Sequence, residues 1–124
     1  MHPCPCCGFR TLDEPPGSYE ICPVCWWEDD AVQLRYPEFR GGANHPSLLE
    51  AQATFLQQGT SDPRLRQHTR PPSDAEAAEP GWRPVDSARD AYEREVGLDP
   101  WPDDLTRLYW WRPTYWRVGH ERPR

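Results

Sequence analysis

Four of the five cysteines in this chain are spaced as metal ligands. Cys4-Pro5-Cys6-Cys7-Gly8 and Cys22-Pro23-Val24-Cys25-Trp26 each hold a pair of thiols two residues apart, and fourteen residues lie between Cys7 and Cys22. A two-residue spacer lets one tight turn aim both sulfurs at a single point. Two such knuckles supply the four thiolates of a closed tetrahedral shell, with metal–sulfur bonds of ~2.3 Å. Cys4, Cys7, Cys22 and Cys25 are therefore the expected ligands, and zinc is the expected ion. Iron in a rubredoxin-like site is the rival, since thiolate ligands alone do not separate the two metals. The short loop between the knuckles favours zinc. Cys6 sits at a spacer position and is expected to point away from the ion, with replacement of Cys4 or Cys7 as the alternative. A pair of redox disulfides is the competing chemistry, disfavoured by the odd cysteine count and by a reducing compartment.

The knuckle turns have their own requirements. Proline after the first cysteine fixes φ near −65°, and Gly8 can take a positive φ that turns backbone N–H groups toward the sulfurs. Trp26 stands where the second knuckle should carry glycine. That turn is open to running straight into a short helix instead, as in treble-clef variants.

Other reactive residues are weaker candidates. Glu28-Asp29-Asp30 reads as a solvated turn rather than a second cation site or a docking point for a basic partner. His2, His45, His68 and His120 are scattered, and each is expected at the surface or in a hydrogen bond rather than on a metal. Cys6 has no base or oxyanion site that would make it a nucleophile. Gly41-Gly42-Ala43-Asn44 lacks the preceding strand of a phosphate loop and reads as a hinge that lets Asn44 or Ser47 cap a helix. No catalytic constellation is found, so enzymatic activity is not expected.

Positioning these residues falls to a chain with little material for a core. Apolar residues make up 36% of it and there are 16 prolines, so the core should be thin and aromatic, with a metal taking over where it is thinnest. All 14 basic residues are arginine and the net charge is −6, which argues against general nucleic-acid binding. The charge is uneven: residues 1–30 carry six acids against Arg10, whereas residues 105–124 carry five arginines against Glu121. Internal pairing or a charged partner follows from that asymmetry. No secretory leader or membrane span is recognised, and a cytoplasmic location is expected.

Gly8–Leu12 and Ser18–Ile21 read as two strands joined by the turn Asp13-Glu14-Pro15-Pro16-Gly17. Residues 36–46 read as loop. Ser47 and Glu50 form a capping box for a helix over 47–58, stopped by Gly59. Residues 60–84 read as an extended connector with at most one helical turn at Asp74–Glu79. A second helix is expected from Asp86 or Ser87 through Val96, and a third helical turn near Trp101–Asp104. The tail from Leu108 to Val118 alternates aromatic and basic residues and reads as a strand.

Several of these segments together carry a resemblance: the two knuckles, Pro16 through Ile21, Trp27-Glu28-Asp29-Asp30, Gly41-Gly42-Ala43-Asn44, Ser47-Leu48 and Glu50-Ala51-Gln52. They resemble the bacterial cysteine-rich CPCC domain family over about residues 2–72. The resemblance implies a small zinc-binding domain and brings no catalytic residues with it. The expected fold class is small α+β: a zinc-ribbon or rubredoxin-knuckle hairpin, one or two short helices and an aromatic C-terminal strand. Residues 1–72 would form the metal-binding domain, with the connector, helix and tail of 73–124 packing on it. The expected function is a non-enzymatic zinc-stabilised protein-interaction module, of antitoxin, immunity or adaptor type, whose partner is a protein. Two alternatives stand beside it: a nucleic-acid-binding ribbon using Trp110, Trp111 and Trp116 for stacking, and an iron electron carrier.

Overall fold

Each knuckle closes on itself with the same two backbone hydrogen bonds. The computed structural model describes residues 1–118, so His120 and the charged residues after it lie outside the described part. In the first knuckle Gly8 N–H donates to Cys4 C=O at 2.8 Å and Cys4 N–H to Phe9 C=O at 2.9 Å. In the second, Trp26 N–H donates to Cys22 C=O at 2.8 Å and Cys22 N–H to Trp27 C=O at 2.9 Å.

This local closure decides the strand pairing and corrects the expected hairpin. Strand β1 (His2–Pro3) pairs antiparallel with β2 (Arg10–Leu12) across the first knuckle. Ser18–Ile21 does not pair with β2. It folds back across its own knuckle, with Tyr19 N–H on Asp29 C=O, Asp29 N–H on Glu20 C=O and a bridge between Ile21 and Glu28. Closing a loop of a few residues costs less chain entropy than pairing across a longer turn. The turn between the knuckles is instead held by carboxylates. Glu20 accepts from the Asp13 and Glu14 N–H groups, and Asp29 from the N–H groups of Gly17 and Ser18.

Both ladders gain a third edge. Residues 77–79 run beside β2, with Arg10 N–H on Ala77 C=O and Glu79 N–H on Gly8 C=O, both at 2.8 Å. On the second ladder the Asn44 carboxamide imitates a strand: Oδ1 accepts from Glu28 N–H at 2.9 Å and Nδ2 donates to Glu28 C=O at 2.8 Å. Asn44 is thus no helix cap. It is held in turn by Gln33, whose Oε1 accepts from both the backbone and side-chain nitrogens of Asn44.

Two α-helices follow the knuckles. Helix α1 (Ala31–Arg35) is a single turn in a stretch to which the sequence assigned no element, capped by the Asp30 carboxylate on Val32 and Gln33 N–H. Helix α2 (Leu48–Gln58) matches its expectation: Ser47 and Glu50 form the reciprocal capping box, and Gly59 ends it at φ 75°. The connector is more structured than expected. Asp62 caps a 3₁₀ helix at Pro63–His68, where proline at the first position has no N–H to leave unpaired.

The second expected helix does not form. After one turn at residues 86–90, Tyr92 and Arg94 both reach Glu38, and Glu93 between them reaches Arg35. Residues 91–93 carry no helix and the chain bends at residues 94 and 95, so these long-range pairs override the local helical pattern. A short 3₁₀ helix at Leu105–Leu108 realises the third helical turn. The aromatic tail is no strand either. Hydrogen bonds from Arg112 to Tyr109, Tyr115 to Arg112 and Val118 to Tyr115 make it a run of turns, pinned by Trp116 N–H on Arg107 C=O.

The core takes in all five cysteines together with Trp27, Leu34, Leu48 and, from the tail, Leu108, Tyr109, Trp110 and Tyr115. Buried Glu79 joins first knuckle, connector and tail, accepting from Arg10, Trp111 and Arg112. Burial alone would raise its carboxyl, but these donors hold it below the usual carboxylate range. Replacing Asn44 by alanine leaves the Glu28 backbone pair without partners and should cost about 1–3 kcal/mol, read by chemical denaturation of the metal-loaded protein.

Candidate metal centre

The two closed knuckles face each other with their four sulfurs inward. Sγ of Cys4 lies 3.6 Å from Sγ of Cys25, and Cys7 lies 3.8 Å from Cys22. All four sulfurs fall within 4.8 Å of one another, and all four residues are buried. Four sulfurs each ~2.3 Å from a central ion stand about 3.8 Å apart along a tetrahedron's edges, which the Cys4–Cys25 and Cys7–Cys22 pairs match; the wider separations, up to 4.8 Å, need the sulfurs to draw slightly inward around such an ion. A disulfide needs sulfurs at about 2.05 Å, and all five cysteines are free.

The thiol energetics point the same way. Burial pushes the Cys4 and Cys25 thiols up, and Cys7 is raised chiefly by its contact with Cys22. Cys22 alone is pushed down, because Cys25, Cys4, Cys7 and then Thr11 donate to it. The Thr11 hydroxyl lies 3.1 Å from that sulfur. Four thiolates in one buried volume repel one another, and a divalent cation among them offsets that repulsion by cancelling half of the charge.

Cys6 is fully buried yet stands outside the sulfur group, while its thiol helps to raise Cys25. Its neighbour Pro5 offers a carbonyl that accepts from Gln52 Nε2 at 2.9 Å and Trp82 Nε1 at 3.3 Å. The second knuckle is held from the other side, by Ser61 N–H on Cys25 C=O at 2.8 Å. Thr11, Ser61 and Trp82 carry no motif, and Gln52 entered only through the family resemblance; their contacts alone reveal what they do.

The glycine position of each knuckle is covered by an indole. Gly8 lies at φ 80°, and a Cβ there would sit 2.5 Å from Trp82 Cδ2. Trp26 adopts φ 68°, the same left-handed turn, and the chain returns as extended backbone instead of entering a helix. Its own ring stacks on His68 with centroids 4.8 Å apart. A side chain in this region costs roughly 1–2 kcal/mol, and aromatic stacking returns ~0.5–1.5 kcal/mol.

The remaining candidates serve the fold. Asp29 and Asp30 are buried, neither solvated nor grouped around a cation: Asp29 holds the turn at Ser18, and Asp30 caps α1 and accepts from Ala43 N–H at 2.9 Å. Burial leaves the Asp29 carboxyl above its ordinary range. His2 lies in β1, His68 stacks on Trp26, and neither joins the sulfurs.

A family model for the cysteine-rich CPCC domain matches residues 2–76, a span that takes in both knuckles, α1, α2 and the 3₁₀ helix at Pro63–His68. The chain belongs to the cysteine-rich CPCC family. A search among curated proteins returned no match. Within this CPCC protein the match ends just before Ala77–Glu79, the segment that completes the first ladder. Among the described residues no helix is long and apolar enough to cross a membrane.

The strained turn yields a sharp test. Trp26→Gly releases the backbone and loses the stack, whereas Trp26→Ala keeps the strain and loses the stack, so the glycine variant should be the more stable by ~1 kcal/mol in thermal or urea unfolding. Equal stability, or the alanine variant ahead, contradicts the reading of Trp26.

Proposed function

We propose that this CPCC protein is a non-enzymatic, zinc-stabilised protein-interaction module of the cytoplasm, with Cys4, Cys7, Cys22 and Cys25 as ligands. One observation carries the reading: the four sulfurs are closed off from solvent, from 0% exposure at Cys4, Cys22 and Cys25 to 5% at Cys7. A catalytic zinc keeps a position open for water or substrate, and a shell of four buried thiolates has none to offer. When bound, the ion supplies cross-linking of the two knuckles and cancels half of the thiolate charge. Zinc is preferred to iron on the short inter-knuckle loop.

The tail supports the protein-partner reading over the nucleic-acid one. Of the three tryptophans that would stack on bases, Trp110 is buried and donates to Arg83 C=O, half-buried Trp111 donates to Glu79, and half-buried Trp116 lies against Arg35, while Arg112 stacks 4.7 Å from the Tyr109 ring centroid and pairs with Glu79. Aromatic and guanidinium groups engaged inside the molecule are not free to stack on bases.

Metal analysis of purified protein should find one zinc per chain and no visible absorption band. A strong chelator should collapse the near-ultraviolet circular dichroism, and Cys6→Ala should keep full metal content where Cys22→Ser loses it. Affinity capture from the native lysate should yield a protein partner that survives nuclease treatment and is lost on chelation. An orange-red protein, a fold unchanged by chelation, or capture of nucleic acid alone would each overturn the corresponding part of the proposal.

A further inference from the structure

The second ladder is finished on one edge and open on the other. Glu28 turns its N–H and C=O to Asn44. In the Ile21–Glu28 bridge the ladder bonds run from Asp29 N–H to Glu20 C=O and from Cys22 N–H to Trp27 C=O. That pattern leaves the N–H and C=O of Ile21 pointing outward, and no described residue meets them. The neighbouring Glu20 N–H is taken by the Ser18 hydroxyl, and Pro23 has no N–H. Ile21 therefore offers one donor and one acceptor, on a residue 44% exposed.

A cleft of about 350 Å³ opens beside this edge. Ile21 and Glu28 are opposite one another in the ladder, so their side chains leave from the same face, and both line the cleft along with Trp26, Asp62, Arg64 and Leu65. The charges in it do not cancel. Asp62 is bonded to Arg64 through Nε and Nη2, the closest contact at 2.8 Å. The Glu28 carboxylate has no ion-pair or hydrogen-bond partner among the described residues. His45 lines the cleft as well, and with that imidazole neutral one negative charge is left over in a half-apolar groove.

We propose that the Ile21 edge and its cleft bind an extended peptide segment of a protein partner, with a lysine or arginine opposite Ile21. This rests on the interaction-module reading and names its docking site. Such a segment adds as a strand, exchanging two hydrogen bonds with Ile21. Its residue opposite Ile21 lies about 4.8 Å farther out on the same face, so a long basic side chain can cross Ile21 and reach Glu28. The aliphatic stem packs on Ile21 and the cation meets the unpaired carboxylate. Two aromatic residues held at positive φ, Tyr19 at 62° and Trp26 at 68°, flank the edge and shape its ends.

The test is a selection of random heptapeptides displayed on phage against the zinc-loaded protein, with the winners synthesised and titrated into ¹⁵N-labelled protein. The expected winners carry a lysine or arginine flanked by β-branched residues, and they shift the Ile21 amide and the Trp26 indole signals. N-methylation of the peptide at the basic residue should weaken binding at least about tenfold by removing its donor. Glu28→Gln should weaken binding up to about fivefold at low salt, with metal content and circular dichroism unchanged because Glu28 holds no intramolecular side-chain bond. Winners without a basic residue, or shifts that map to another face, overturn the site while leaving the module reading intact. Failure to select any peptide overturns the site, and the module reading falls with it only when capture from the native lysate also returns no protein.

Discussion

Four buried sulfurs in one small volume are the constraint on which the rest of this molecule depends. Each knuckle can close its own turn by backbone hydrogen bonds, but nothing in those turns forces one knuckle to face the other. Cys4 against Cys25 and Cys7 against Cys22 do that, and a dication makes the contact attractive where thiolates alone would repel. Once the knuckles face, their outer edges become places where other segments can add. Residues 77–79 add to one as a strand, and the Asn44 carboxamide adds to the other as a stand-in for a strand.

The later part of the chain is fastened to this centre by directional contacts more than by bulk burial. Trp82 lies on Gly8, and Glu79 gathers Arg10 and Arg112. Arg35 sits fully buried among the Tyr36, Trp101 and Trp116 rings, each with its centroid 4.7–4.9 Å away, while Glu93 meets its guanidinium at 2.8 Å. A planar cation that can both stack and fork suits this box, where a lysine ammonium would not. The uneven charge along the sequence is not resolved by pairing between its two ends: Arg112 of the tail pairs with Glu79 of the connector, and among the described residues no acid of residues 1–30 joins an ion pair.

What was legible in the sequence was local. The knuckle cysteines announce themselves by covalent spacing, and α2 by a box and a stop within thirteen residues, Ser47 to Gly59. What was not legible depended on competition between partners. Gly8–Leu12 could pair with the residues before it, those after the turn, or the connector, and spacing does not rank them; the structure uses the first and the last. The residues leading to Val96 carry a helical pattern, but Glu38 and Arg35, more than fifty positions away, hold Tyr92, Glu93 and Arg94 out of a helix. Asp29 and Asp30 look like solvent residues until the N–H groups they serve are seen. Trp26 showed where glycine was missing, but not that the tryptophan would take up glycine's φ.

The measurement that tests this account most directly is X-ray absorption at the metal edge of the protein as purified. The account predicts four sulfur neighbours at ~2.3 Å and no lighter atom in the first shell. A shell containing nitrogen or oxygen, or fewer than four sulfurs, would contradict the closed Cys4–Cys7–Cys22–Cys25 centre on which the fold is built.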